Sequence, residues 1–169
     1  VRTNKKGRII QKFGFLERLE SLPGRLKIKQ PWIQIFSKDD RITEITAQTG
    51  TVDVEGAEGQ MQIPNSGFLE NVRIKMYRLP KDTAIIPSPL SGEIPEGQTV
   101  EMEVQLTESV RFEREISRLQ SAGDCTVSSK LFSVAGTGLL LVYDQNNERL
   151  QELELLQVKQ LRLARKDLQ

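Results

Sequence analysis

The chain has 169 residues, 37% of them hydrophobic, which is enough for one domain with a sizeable core. Its 24 basic and 23 acidic residues leave a net charge of +1, so no overall field favours nucleic acid or an anionic membrane surface. The chain has no histidine, which removes the commonest general base and metal ligand, and the single Cys125 can form no internal disulfide. We therefore expect a protein that is not an enzyme, with no metal or cofactor and no nucleic-acid partner.

The first 24 residues allow two interpretations. Ile9, Phe13 and Leu16 recur at helical spacing, but two glycines interrupt the pattern and a Pro-Gly pair ends it. We expect either a short amphipathic helix or an irregular leader over residues 1–24, ahead of the main domain at 25–169. The basic residues near the start fit a solvated terminus, or the flank of a membrane anchor outside this chain.

From Arg25 onward the hydrophobic period changes to two. The runs "RLKIKQ", "WIQIF", "ITEITA", "TVDVE", "ENVRIKMY", "VEMEVQL" and "SVRFERE" are short and separated by turn residues. This pattern is typical of an all-β sandwich or barrel with one buried and one solvated face. Residues 79–99 hold four of the seven prolines, which predicts a long exposed loop inserted in the sheet, because proline cannot donate to a strand ladder.

The end of the chain is rich in helix-forming residues, yet an internal repeat predicts sheet there. "AQTGTVDVEG" begins at Ala47 and "AGTGLLLVYD" begins at Ala135, and each reads Ala-x-Thr-Gly before an apolar strand. We expect a strand at Met61–Ile63 in the first unit and, by correspondence, another at Leu150–Leu155. The stretch Asp144–Arg149 is long enough to be the hairpin loop before it.

These residues resemble a known family. "GTGLLLVYDQNNERLQELELLQVKQLRL" is similar to the end of the OstA-like, LptC-type domains of lipopolysaccharide transport. "RLKIKQPWIQIFSKDDRITEITAQTGTVDVEGAEGQMQI" resembles the start of the same domain, and "GFLENVRIKMY" resembles one of its inner strands. The resemblance covers roughly residues 25–163, and the proline-rich insertion departs from the family pattern.

The resemblance implies an open, twisted antiparallel β-jellyroll in the periplasm, anchored to the inner membrane through a segment absent from this chain. Such a domain takes lipopolysaccharide or a related lipid from the subunits of an inner-membrane ABC transporter. It then passes the lipid to other β-jellyroll transport proteins, with which it associates head-to-tail by strand pairing. The sequence leaves one alternative function open, a structural or adhesive β-sandwich that binds protein partners through a strand edge.

A lipid groove would be lined by the apolar side of the alternating strands. Its work is to shield acyl chains from water, which needs no catalytic group. The alternation predicts thirteen lining residues, each of which could equally belong to a closed core: Ile45, Val52, Val54, Ile74, Met76, Met102, Val104, Val110, Phe112, Leu140, Val142, Leu153 and Leu155.

Overall fold

The computed structural model describes residues 1–54, 64–79, 81, 85–114, 117–144, 146 and 148–164. In these ranges fourteen strands form one sheet, and every pairing between them is antiparallel. This confirms the predicted all-β fold, an open, curled antiparallel sheet of the jellyroll type. The predicted strand at Met61–Ile63 lies outside the described residues.

The strands are Arg2–Thr3 (β1), Ile9–Gly14 (β2), Glu17–Leu22 (β3), Arg25–Lys29 (β4), Trp32–Phe36 (β5), Arg41–Thr46 (β6), Thr49–Asp53 (β7), Ser66–Glu70 (β8), Val72–Arg78 (β9), Val100–Leu106 (β10), Val110–Glu113 (β11), Arg118–Ser129 (β12), Phe132–Asp144 (β13) and Arg149–Leu163 (β14).

The sheet is built from long strands that break at a corner. Between β2 and β11 the strands follow one another in five consecutive couples, and the two members of each couple lie in different halves of the sheet. One half has the order β2-β5-β6-β9-β10 and the other has the order β3-β4-β7-β8-β11. We call them the first and second half-sheets. The twelve-residue β12 joins them, because it pairs with β10 near its end and with β11 near its start.

The corners keep their backbone groups paired. The amide of Gln30 donates to the carbonyl of Gln48 at 2.9 Å, and the amide of Gln48 donates to the carbonyl of Glu70 at 2.9 Å. Gln30 and Asn71 turn the chain with positive φ angles of 48° and 53°. Asparagine adopts this left-handed conformation more readily than most residues. The ladder therefore runs through the corners, and the sheet curls without losing backbone hydrogen bonds.

The main core lies between the two half-sheets. It takes Ile33, Ile45 and Ile74 from the first half-sheet and Leu26, Ile28, Val52 and Leu69 from the second. Val127 and Leu141 extend it onto β12 and β13. This is the buried side of the alternation that the sequence predicts, and the face opposite it meets solvent over most of the second half-sheet.

The prediction of a helix or an irregular leader in the first 24 residues is wrong. β2 pairs with β5 and β3 pairs with β4, so the segment continues both half-sheets. Phe13 lies opposite Ile33 and packs on the core, whereas Ile9 and Leu16 are exposed. The helical spacing of these three residues is therefore coincidental, and pairing with the neighbouring strands outweighs it.

The proline-rich segment is loop, as predicted, but it is more than an exposed insertion. In its described part it contains one 3-10 turn at Pro89–Ser91 and no strand. Ile86 and Ile94 pack from it against Phe36, Ile42 and Tyr77 on the outer side of the first half-sheet. The segment thus gives this half-sheet a second, smaller core, which explains why β6 is buried on both sides.

The end of the chain is sheet, and this confirms the prediction from the repeat. β13 and β14 form a long hairpin in which Asp144 pairs with Arg149 and Phe132 pairs with Leu163. The predicted strand at Leu150–Leu155 lies within β14. Among the described residues, no helix is long and apolar enough to cross a membrane.

Candidate functional site

The candidate site is the inner face of the curled sheet. We define the inner face as the side on which the two half-sheets face each other, together with the same side of β12, β13 and β14. Ten of the thirteen predicted lining residues lie on it. Seven are buried in the core and three are half-buried against it: Ile45, Val52, Ile74, Met76, Val104, Val110 and Phe112, and then Met102, Leu153 and Leu155.

The prediction that Leu140 and Val142 line the groove is wrong, because both residues lie on the outer face of the sheet. Leu140 pairs with Gln120 and Glu154, whose side chains are exposed, so it belongs to the outer face. The cause is a bulge near the hairpin tip. Val142 pairs with Glu152, but the next residue, Tyr143, pairs with Leu150. The extra residue, Gln151, lies in β14, so Leu153 and Leu155 share a face with Leu141 and Leu139 and not with Leu140 and Val142.

Val54 is also a wrong prediction. β7 ends at Asp53, and Val54 lies just beyond it with 38% of its surface exposed. Its amide donates to the carbonyl of Gly24 at 3.0 Å, so its backbone is held at the rim of the second half-sheet. The strand ends before Val54, so this residue lies at the edge of the core and not within the inner face.

Sequence reasoning missed several inner-face residues. Leu139 and Leu141 are 2% and 3% exposed and pair with Leu155 and Leu153. All five residues from 139 to 143 are apolar, so alternation alone cannot choose between the two faces. Other missed inner-face residues include Leu26, Ile28, Ile33 and Ile35 on strands that the sequence did predict, and Leu119 and Val127 on β12, which it did not predict as a strand.

A cavity of about 90 Å³ opens at one end of the inner face. It lies between β2, β5 and β6 on one side and β11, β12 and β13 on the other. Its floor is apolar and consists of Ile33, Ile35, Ile45, Phe112, Leu119 and Leu141. Gly67 makes room for one wall, since a β-carbon there would lie 2.9 Å from the Phe112 ring.

Polar side chains surround the mouth of this cavity. Arg2, Arg114 and Arg118 reach it from β1 and from the two sides of the β11–β12 turn. Tyr143 also lines it, with its hydroxyl 3.4 Å from Oγ of Ser37, and burial raises the pKa of this tyrosine above the ordinary 10.0. With Glu113 and Glu148 also in the lining, the three guanidinium groups leave the rim with one net positive charge around an apolar interior.

Glu148 fastens the hairpin tip to the start of the chain at the same end. It is 7% exposed, and its backbone is held in the left-handed region at φ 50°. Its Oε1 accepts a hydrogen bond from Asn4 at 3.3 Å, and its Oε2 lies 3.7 Å from a guanidinium nitrogen of Arg8. Its carbonyl accepts from the amide of Lys38 at 3.1 Å. These contacts hold the hairpin tip beside the mouth of the cavity.

The other end of the inner face is open. Cross-strand neighbours share a face, and Val158, Leu161 and Leu163 pair with Gly136, Val134 and Phe132. These three residues of β14 therefore continue the inner face beyond Leu153 and Leu155, yet they are 55%, 56% and 73% exposed. We call Leu153, Leu155, Val158, Leu161 and Leu163 the apolar stripe.

No protein-family model matches the chain, and no curated protein matches it in sequence. The chemistry of the site must therefore be read from its own residues. Among the described residues, no group of three or more His, Cys, Asp or Glu side chains lies together as a metal site. The arrangement offers apolar surface inside and cations at the mouth, which suits a ligand with an apolar body and an anionic end.

Proposed function

We propose that this protein is a lipid-binding transfer module of lipopolysaccharide export. It receives lipid from an inner-membrane ABC transporter and passes it to a periplasmic bridge of β-jellyroll modules. It works in the periplasm, held at the inner membrane by a segment outside this chain, and it catalyses no reaction. One observation carries the proposal: the apolar floor of the cavity continues through Leu141 and Leu139 into the apolar stripe of β14.

The energetics suit acyl chains. Each methylene moved from water to an apolar surface contributes about 0.8 kcal/mol, so several methylenes bind without any specific polar contact. A cavity of about 90 Å³ accommodates only part of a long chain. The rest of the chain would lie along the inner face and cover the exposed part of the stripe. An apolar path with a cavity mouth at one end and an exposed stripe at the other fits a protein that passes lipid on.

The rim supports a lipid with an anionic headgroup. Arginine binds phosphate and carboxylate groups through paired hydrogen bonds, and Arg2, Arg114 and Arg118 line the mouth. Phosphates of a lipopolysaccharide-type lipid would remain in water beside these guanidinium groups while its acyl chains occupy the apolar floor.

A charge placed on the cavity floor tests this proposal. Ile35 is suitable because it lines the cavity but is only half-buried, whereas Phe112 is 7% exposed and a charge there would be fully buried. Phe68 gives a matched control, since it is 47% exposed on the outer face of β8.

We expect Ile35→Glu to keep its β circular dichroism spectrum and to lose crosslinking to a photoreactive lipopolysaccharide. Phe68→Glu should keep both. A folded Ile35→Glu protein that crosslinks lipid as well as the unmodified chain does would refute the proposed groove.

The second candidate function is a structural or adhesive β-sandwich that binds protein through a strand edge. The exposed length of β14 favours it, because an apolar edge strand is a ready template for another strand. The two functions differ in one measurable property: the adhesive module binds its partner with no lipid present and shows no affinity for acyl chains.

A further inference from the structure

The edge strand β14 is long and exposes several large apolar side chains between its charged ones. It has fifteen residues and pairs with β13 on one side, and none of the described strands lies on its other side. Natural sheets usually shorten, charge or cover such edges, because unpaired amide and carbonyl groups attract another strand. Here Leu156 is 83% exposed and Leu163 is 73% exposed. We therefore expect another strand to pair with this edge.

The apolar stripe is symmetrical along the strand. Its residues are separated by two, three, three and two positions, so Val158 stands at the centre of a palindrome. The three-residue steps result from irregularities in the hairpin, where Gly138 has a φ of 71° and the register shifts next to Gly136. When the strand is rotated by half a turn about Val158, each of the remaining residues of the apolar stripe therefore falls on the position of another residue of the stripe.

The charged residues of β14 are arranged so that two antiparallel copies of this strand bring opposite charges together. Glu152 and Glu154 precede Val158, whereas Lys159 and Arg162 follow it. In an antiparallel pair of two identical strands, the acidic half of each lies beside the basic half of the other. Opposite charges facing each other across strands stabilise a pair, and like charges destabilise it.

We propose that two copies of this chain pair antiparallel through β14 about a two-fold axis at Val158. In this pair Val158 lies beside its own counterpart, Leu155 beside Leu161, and Leu153 beside Leu163. Glu154 lies beside Arg162 of the other copy, twice per dimer. A two-fold axis perpendicular to the sheet keeps both inner faces on the same side, so the two stripes join into one continuous apolar surface.

Head-to-tail stacking of this chain on itself is less favourable. A stack that continues the curled sheet would place the half of β14 that contains Glu154 beside β3, which carries Glu17 and Glu20. It would place the half that contains Arg162 beside β2, which carries Lys12. Each half would then face a strand whose net charge has the same sign, although Arg18 and the Glu17–Lys29 ion pair reduce this effect on β3. In the two-fold dimer the edges formed by β1 with β2 and by β3 stay free of the second copy, and a module that binds at β14 must displace that copy.

Cysteine crosslinking tests the two-fold axis directly. Val158→Cys should form a disulfide-linked dimer under mild oxidation, because only at the axis does a residue meet itself. Leu163→Cys is the matched control: its two copies lie roughly 30 Å apart along the paired strands, so it should not link to itself. A mixture of Leu153→Cys and Leu163→Cys proteins should form the mixed dimer. The native Cys125 is 4% exposed and stays in all variants.

Charge exchange provides an independent second test. Glu154→Arg alone and Arg162→Glu alone should each weaken self-association by about tenfold in sedimentation velocity, because each creates two like-charge pairs. Mixing the two variants should restore the dimer, since every pair is then attractive. Lipid plays no part in either test, so their result is separate from that of the proposed function. Monomers at all concentrations, or a crosslink from β14 to a cysteine on β3 in place of the Val158 dimer, would overturn the inference.

Discussion

The hydroxyl of Tyr77 donates a hydrogen bond of 3.0 Å to Oε2 of Glu44 on the outer side of the first half-sheet. The same carboxylate oxygen accepts a hydrogen bond from Gln34 at 3.2 Å. Tyr77 is 0% exposed and Glu44 is 2% exposed, and the proline-rich segment packs beside them. A buried carboxylate is tolerated only when donors surround it, so this small network stabilises the layer beneath the segment.

Removing the Tyr77 hydroxyl should destabilise the protein. Tyr77→Phe leaves the buried Glu44 carboxylate with one donor fewer, and we expect a loss of about 1–3 kcal/mol in the free energy of unfolding by urea. Tyr143→Phe is the matched control, because its hydroxyl is only 3.4 Å from Ser37 at a half-buried position. We expect a loss below about 1 kcal/mol there. Equal losses for the two variants would contradict the role given to the network.

Both tyrosines should resist ionisation in the folded protein. Burial is the main cause that raises the pKa of Tyr77 and of Tyr143 above the ordinary 10.0. A raised tyrosine pKa means that the stability linked to it is complete below pH 10.0 and is lost as the pH rises further. Ultraviolet titration should therefore show less tyrosinate at pH 10.0 in the native protein than in the unfolded chain, where about half is ionised. Half-ionised tyrosine in the native protein at that pH would be inconsistent with their burial.

Glu101 should make stability sensitive to acid. A hydrogen bond of 2.8 Å from Arg41, supported by Arg78 at 2.9 Å, holds the pKa of its carboxyl below the ordinary 4.5. A lowered carboxyl pKa contributes stability above the unfolded value and loses it as the pH falls through the folded value.

We therefore expect Glu101→Gln to cost about 0.5–1 kcal/mol in unfolding free energy at neutral pH, the range of partly exposed ion pairs. The difference from the unmodified chain should disappear as the pH falls below 4.5. A difference that stays constant across that range would show that the ion pairs are not its source.

The two faces of β13 can be distinguished with adjacent leucines. Leu141 is 3% exposed and lies between Leu119 and Leu153 on the inner face, so Leu141→Ala should cost about 2–5 kcal/mol. Leu140 is half-buried on the outer face, and Leu140→Ala should cost less than half as much. Thermal or urea unfolding measures both. The reverse order would mean that the strand faces the other way.

The sequence predicts most of this fold because alternation and turn residues report directly on a half-buried strand. The runs from β4 to β11 illustrate this, and the Ala-x-Thr-Gly repeat correctly places β14 in the sheet despite its helix-forming residues. The first 24 residues could not be assigned in this way. Ile9, Phe13 and Leu16 fit a helix as well as a strand, and only pairing with β4 and β5 decides between them.

The candidate site was harder to predict than the fold. Gln151 is an extra residue in β14 near the hairpin tip, so Leu153 and Leu155 share the inner face with Leu141 and Leu139 and not with Leu140, and no local pattern indicates that bulge. The rim was also missed. Arg114 and Arg118 are neighbours across the β11–β12 turn, but Arg2 is more than a hundred residues away and meets them only because the sheet curls.

The central claim is that the inner face binds the acyl chains of a lipid. Mass spectrometry of organic extracts of the purified protein tests it most directly, with Ile35→Glu and Phe68→Glu proteins extracted in parallel. We expect acyl lipids in amounts comparable to the protein from the unmodified chain and from Phe68→Glu, and a strong reduction from folded Ile35→Glu. Extracts without lipid from all three proteins, together with no uptake of added lipopolysaccharide, would contradict the claim.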